Sequence, residues 1–450
     1  MFQNLVVGGE NANGTDATNK LSYMCLDAAA KLRLPQPSLS VRFHRNSPKP
    51  FQLQAAELAK AGTGMPSFFN DEILVPVLTD MGCTLEDART YAPVGCIEVQ
   101  APGKTQGYYP GGFLNLAKCL ELVLHDGHDP GERLSVPPHL GTFREVLAAF
   151  RRQVAHFVPV MVTADNIIEE VQARIAPSPF LSILVDDCLD EAKSVEGGGA
   201  RYNFTAINGV GLANVADALA AIRKFVYDEN QVTIAELLDA LRADFSDHED
   251  LRQLLLNRGA KYGNDDDSVD MLAREVAHIF CEEVLKYSNT RGGPFQPGFQ
   301  TVSMHALFAG SVGATADGRK REMLLADGGV SPAQGRDKHG PTAVLKSVAK
   351  LDHRMAHNGT LLNVKFHPSA IAGDAGGGNL LALVRTFFQL NGQHIQFNVV
   401  STETLRDAQA HPERYADLVI RVAGFSVFFT TVDKVLQEDI IARTEHQYGG

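Results

Sequence analysis

The chain has 450 residues and a net charge of −12, with 44% apolar and 21% charged residues. That is ordinary globular composition, and the length allows a large core and more than one domain. The acidic balance excludes nonspecific nucleic-acid binding, and no apolar run is long enough to span a membrane.

No signal peptide is recognised at the N-terminus, so a cytoplasmic protein with reduced thiols is expected. The six cysteines (Cys25, Cys83, Cys96, Cys119, Cys188, Cys281) form no CxxC pair and no zinc-type spacing. The sequon at residues 358–360 is then a chance match.

Residues 1–9 read as the start of a core strand, and residues 11–18 as a turn. A helix follows over 20–32, with Leu21, Met24, Cys25, Ala28, Ala29 and Leu32 on one side. Pro35 and Pro37 end it, and residues 38–44 alternate like a strand. Past Pro48 and Pro50 a short helix is expected. Then comes Gly-Thr-Gly-Met-Pro-Ser-Phe-Phe-Asn-Asp at 62–71, and a helix over 72–80.

Residues 91–98 are Tyr-Ala-Pro-Val-Gly-Cys-Ile-Glu. A single cysteine is ordinarily a small buried hydrophobe. Here Gly95 permits close backbone approach. If residues 96–98 are extended, side chains two apart share a face, and the Cys96 thiol and Glu98 carboxylate project into one cavity. An S–H bond is close in strength to an activated C–H bond. A sulfur radical can therefore take a substrate hydrogen and return it. A neighbouring carboxylate can move the proton that lets a hydroxyl leave.

Helices are expected over 113–125, 142–157 and 165–175. The stretch 204–211 has a phosphate-loop look but lacks the lysine and the GxGxxG of nucleotide sites. Helices over 212–227 and 234–245 read as amphipathic. Residues 261–267 lack the alternating ligands of a calcium loop and instead cap a helix over 270–287. Residues 313–320 and 331–340 are polar loops. Strands are expected over 358–366 and 394–401, the second alternating polar with apolar, and a helix over 379–390 between them. The unbroken α/β alternation, without repeats or linker, argues for one domain over 1–450.

Near the C-terminus, residues 418–422 read as a buried strand that breaks at Ala423-Gly424. The apolar group 425–429 follows. Thr430 or Thr431 then caps a helix through Val432, Leu436, Ile440 and Ile441, ending near Arg443. Gly424 thus sits in a tight turn between strand and helix, wrapped in apolar side chains. An unusual backbone angle is its plain explanation.

The sequence Arg-Val-Ala-Gly-Phe-Ser at 421–426, with Gln-Glu-Asp-Ile-Ile-Ala-Arg-Thr-Glu-His at 437–446, resembles the C-terminal signature of glycyl radical enzymes, the pyruvate formate-lyase-like superfamily. Gly-Cys-Ile-Glu at 95–98 resembles the thiyl-radical loop of its lyase and dehydratase branch, and residues 62–71, 313–320 and 331–340 are similar to further family segments. The resemblance implies an α/β fold, the family's ten-stranded barrel of two antiparallel five-stranded halves. Family members are much longer, which implies an incomplete N-terminal half here. It also implies a Cys loop at 91–98 and a glycine radical region at 330–450. Gly424 would store a radical, which glycine alone suits, having no side chain to twist the centre out of plane.

Cys96 would relay hydrogen, Glu98 would handle the proton, and Arg421 and Phe425 would support the radical loop. Phe425 departs from the family's Tyr. Tyr109-Pro110 stand where diol dehydratases carry a His-Asp pair, and Val99 replaces the usual Pro. Tyr108 or Tyr109 is therefore expected to line the substrate pocket, with glycerol not a substrate. The implied function is radical C–X elimination, dehydratase-type, on a small polar molecule. The implied partner is an S-adenosylmethionine iron–sulfur activase that installs the Gly424 radical. A homodimer is expected, with no bound cofactor or metal. Formate acetyltransferase is one alternative, but it uses adjacent cysteines, and Gly95 and Ile97 flank the cysteine here. A non-catalytic fragment or radical-bearing spare part is another, disfavoured by the retained Cys loop.

Overall fold

The computed structural model describes residues 3–125 and 140–447. From the N-terminus the chain lays down β1 (Asn4–Gly8), α1 (Lys20–Leu32), β2 (Ser38–Phe43), α2 (Lys49–Lys60), β3 (Ser67–Asn70) and α3 (Asp71–Asp80). Parallel pairing of β1 with β2 and of β2 with β3 requires crossovers, which α1 and α2 supply. A short antiparallel hairpin follows, β4 (Ala92–Val94) and β5 (Glu98–Gln100). Next comes a parallel three-stranded sheet of β6 (Thr105–Asn115), β7 (Tyr202–Val210) and β8 (Phe295–Gly298). Its crossovers contain α4 (Leu116–Leu124), α5 (Phe143–Ile175), α6 (Leu212–Ala221), α7 (Ile234–Arg242) and α8 (Asp267–Val284). The C-terminal part holds β9 (Asn363–Phe366), α9 (Gly376–Gln389), β10 (His394–Val399), a hairpin of β11 (Val419–Arg421) and β12 (Ser426–Phe428), α10 (Lys434–Ala442) and β13 (Glu445–His446).

The two ends of the chain build one sheet. β10 pairs antiparallel with β3 and parallel with β9, giving the order β1-β2-β3-β10-β9-β13. A parallel bridge between Phe299 and Thr360 ties this sheet to the β6-β7-β8 sheet. β2, β3, β7 and β10 are buried at every position, as strands covered on both faces must be.

Several elements differ from the sequence expectation, each for a physical reason. The first two residues of the 1–9 segment lie outside those described. α1 spans the expected residues, but only part of the expected stripe packs: Cys25 and Ala29 lie against the core, while Leu21, Met24 and Leu32 are exposed and Ser22 and Leu26 are buried. Tyr23 and Ala30 also make inward contacts, so the packed stripe is shifted by about one position. The two helices expected over 142–157 and 165–175 are one 33-residue helix, α5, with Pro159 inside it. The buried run Val146, Phe150, Val154, Val158 and Val162 continues through the proline, and burial outweighs the lost hydrogen bond. Residues 113–115 belong to β6, and the helix begins at Leu116, where the Asn115 side chain accepts from the Lys118 N–H (3.0 Å).

Of the amphipathic helix expected over 212–227, α6 is buried at all ten positions within the main core, and a π-turn over Ile222–Asp228 continues it with Phe225 and Val226 buried and Arg223 exposed. Within residues 358–366 only Asn363–Phe366 form a strand.

Candidate active site

Cys96 stands at the tip of the β4–β5 hairpin. Val94 pairs with Glu98, leaving Gly95, Cys96 and Ile97 to make the turn. Gly95 has φ +73°, which a side chain would strain. Cys96 and Ile97 therefore lie in the turn and only Glu98 is extended, so Glu98 reaches Cys96 by another route. Its carboxylate folds back over the loop: Oε2 accepts the backbone N–H groups of Cys96 (2.7 Å) and Ile97 (2.8 Å). Gln300, on the loop after β8, donates through Nε2 to Oε1 (2.7 Å). From below, Asn4 Nδ2 donates to the carbonyls of Pro93 and Gly95, pinning the hairpin to β1.

Gly424 stands at the tip of the β11–β12 hairpin, with φ +85°. The turn closes by a hydrogen bond from Val422 N–H to the Phe425 carbonyl (3.0 Å). The expected strand–turn–helix is thus a strand–turn–strand. α10 starts later, capped by Asp433, whose side chain accepts from the Leu436 N–H. Thr431 instead donates to the Phe428 carbonyl.

The two tips meet face to face. A methyl group built on Gly424 would lie 2.0 Å from Cys96 Cβ and 2.6 Å from Cys96 Sγ, far inside van der Waals contact. Only a residue without a side chain fits against this thiol.

The six-stranded sheet turns a polar face to the Gly424 hairpin. Arg421 is fully buried, and its guanidinium donates to Gln396 Oε1 (2.8 Å), Ser38 Oγ and Ser426 Oγ (both 3.2 Å), and also to Ser67 Oγ. Asn398 binds the Arg421 backbone on both sides, accepting from its N–H and donating to its carbonyl. Asn363 and Arg443 both donate to the Val422 carbonyl. Arg443 is held by Asp439 and Asp327. Phe425 is half-buried and packs against both the cluster around Cys96 and the cluster inside the C-terminal segment.

Electrostatics fix the resting state. Burial, then the nearby Glu98, pushes the Cys96 thiol well above its ordinary range, with Arg421 opposing. A thiol held protonated is a hydrogen-atom donor and not a thiolate nucleophile. Burial also raises the Glu98 carboxyl, opposed by its bonds to Gln300 and the loop amides.

The two tyrosines part company because neighbours in a strand face opposite ways. Tyr109 is buried in the Cys96 cluster, and its Oη donates to Gln100 Oε1 (3.2 Å). Tyr108 points to the other face, where the Arg291 guanidinium sits 4.6 Å over its ring. Arg291 in turn pairs with the buried Glu169 (3.1 Å). Of the two, Tyr109 is the one beside Cys96 and Glu98. Sequence reasoning passed over Gln300, Asn4 and the sheet residues Ser38, Ser67, Gln396 and Asn398. The one visible signal was the polar alternation of β10.

Away from this site, His367, Glu403 and Glu445 bring ligand atoms within 4.8 Å of one another. Lys365, 3.7 Å from Glu445, already supplies countercharge there.

Residues 1–309 match the family described as Pyruvate formate lyase-like, and residues 326–430 match the family described as Glycine radical. The trans-4-hydroxy-L-proline dehydratase of Clostridioides difficile is 37% identical, over 99% of this chain and 57% of its own length. An isethionate sulfite-lyase of Oleidesulfovibrio alaskensis is 34% identical, over 99% of this chain and 55% of its own. The glycerol-bound B12-independent glycerol dehydratase from Clostridium butyricum superposes with a TM-score of 0.96 at 50% identity, covering all of this chain and 57% of that one. The fold is therefore that of the glycyl radical enzyme barrels, and the chain spans just over half the length of these relatives.

Proposed function

The chain belongs to the pyruvate formate-lyase-like glycyl radical enzymes, and from that premise we propose that it carries the catalytic half of a radical C–X lyase. The reaction is a dehydratase-type elimination on a small polar substrate. Gly424 stores the radical on its Cα. In the first step that centre takes the hydrogen atom of the Cys96 thiol, leaving a thiyl radical. The thiyl takes a hydrogen atom from a substrate carbon, and Glu98 moves the proton that leaves with the departing group. Cys96 then returns its hydrogen atom to the product radical and recovers one from Gly424, which becomes the radical again, so that substrate loses H–X and the protein is unchanged. The observation that supports this reading best is the direct packing of the Cys96 thiol on Gly424, with the Glu98 carboxylate bound to the same loop.

A separate S-adenosylmethionine iron–sulfur activase installs the radical, and turnover itself needs no bound cofactor. The working assembly is a homodimer, which light scattering checks. Tyr109 offers one neutral hydroxyl beside Cys96, where a charged His-Asp pair would grip a diol, so glycerol is not the substrate. Sustained anaerobic turnover of glycerol would overturn that choice.

The central test is anaerobic activation followed by exposure to oxygen. A radical at Gly424 gives a paramagnetic signal, and oxygen then cuts the backbone to release a fragment beginning near Phe425, seen by mass spectrometry. Gly424→Ala is expected to abolish both. Cys96→Ala is expected to keep the signal and the cleavage while turnover disappears. Turnover surviving in Cys96→Ala would return that residue to the role of a buried core thiol.

A further inference from the structure

The two oxygens of Glu98 have different surroundings. Oε2 accepts two backbone N–H groups of its own loop. Both donors are backbone groups of the turn, and that oxygen cannot take up a proton without giving up one of these bonds. A proton arriving at Glu98 therefore settles on Oε1. The hydrogen bond at Oε1 comes from Gln300 Nε2, at 2.7 Å. Gln300 is fully buried and comes from a distant part of the chain, 202 positions away. Its own carbonyl oxygen has no hydrogen-bond partner among the described residues. No second bond holds the amide in one orientation, and a half-turn of the amide presents oxygen instead of nitrogen to Glu98.

We propose that Gln300 is a positioning residue for proton transfer at Glu98: its amide donates to the ionised carboxylate and, turned over, accepts from the protonated one. This rests on the reading of Glu98 as the group that moves the proton. In the step concerned, the substrate's proton passes to Oε1 and the carboxylate becomes a carboxylic acid. The same proton then goes to the departing group, and the carboxylate returns. Gln300 exchanges no atoms. It aims Oε1 and keeps the buried carboxyl usable in both states. A bond to the ionised form is the stronger of the two, so the net effect of Gln300 is to hold the carboxyl down against its burial. The other titratable or charged groups around Glu98 are Cys96 on its own loop and Tyr109 on β6, with Arg421 of the opposite hairpin behind Cys96. The Tyr109 hydroxyl is bound to Gln100, and Arg421 is bound to the sheet.

The test uses the full chain before and after activation. In the unactivated protein, the infrared carboxyl band that vanishes in Glu98→Gln reports the Glu98 titration directly. Gln300→Met is expected to move its midpoint upward by about one pH unit. Gln300→Glu, nearly the same shape, is expected to move it upward as well, because a second carboxylate adds repulsion. In activated protein, the rising limb of kcat against pH shifts the same way, with KM little changed and the Gly424 signal intact. An unmoved midpoint in either folded variant would overturn the proposal. A missing Gly424 signal in activated wild-type protein would instead overturn the functional reading, and the infrared titration would still decide the role of Gln300.

Discussion

Arg421 is bound only to neutral oxygens: hydroxyls of Ser38, Ser67 and Ser426 and the amide of Gln396. Among the described residues no carboxylate pairs with it, and burial lowers its affinity for the proton to a pKa of about 10. A buried guanidinium is tolerable only when its donors are used, and here they stitch the Gly424 hairpin to β2, β3 and β10. Arg421→Met leaves four acceptors without their donor. The expected cost is about 3 kcal/mol or more, read by urea unfolding, with the hairpin exchanging its amide hydrogens faster than the sheet does. An unchanged midpoint would mean that the hairpin is held by its apolar contacts alone. Cys96, Glu98 and Gly424 were legible in the sequence through the resemblance of their loops to the family's cysteine and glycine segments. Gln300, Ser38 and Ser67 were not. A hydrogen bond spanning 202 or 383 positions leaves no local pattern.

Both loop tips turned out to be hairpins, and the same cause explains both misreadings. β4, β5, β11 and β12 each have only three residues, too short for alternation to declare a strand. Glu98 was placed near Cys96 by an argument about extended chains. In fact it arrives there because its carboxylate caps the turn. α5 shows the opposite failure: two helices were expected over 142–157 and 165–175, but the buried valines carry one helix through Pro159 between them. The proline removes one backbone donor, and Thr163 Oγ1 donates to the Pro159 carbonyl (2.8 Å) within the same stretch. Pro159 is only half-buried, so a smaller side chain leaves no cavity. Pro159→Ala restores the donor at a position already helical. It is expected to stabilise the protein by about 1–2 kcal/mol, with thermal unfolding as the measurement. A destabilised variant would show that the helix bends at Pro159 because its packing requires it.

At the scale of the whole molecule, the α/β alternation was readable from end to end, but the way the ends join was not. β3 and β10 lie more than three hundred positions apart and share two paired residues, His394 with Phe69 and Ile395 with Phe68. The site forms where that closure brings the Cys96 cluster against the C-terminal cluster. Its integrity therefore depends on global stability, and global stability here has a titratable component. Asp217 on the central helix α6 is buried, and burial pushes its carboxyl up to about 8, with Lys261 and the Tyr262 N–H bond (2.7 Å) opposing. It borders a cavity of about 290 Å³ that also touches Arg319 and Asp439.

A carboxyl raised in the folded state favours folding when protonated. That contribution is fully present below the ordinary carboxylate range, near pH 4, and is lost as pH rises through about 8. Each unit of difference corresponds to about 1.4 kcal/mol, so the loss amounts to a few kcal/mol at most once other groups adjust. Asp217→Asn keeps the oxygen that accepts from Tyr262 and removes the charge. Urea unfolding between about pH 5 and pH 9 is expected to show the wild-type protein losing stability relative to the variant, the gap widening with pH. Parallel curves for the two proteins would mean that Lys261 neutralises Asp217 fully and that the buried carboxylate carries its charge at no cost.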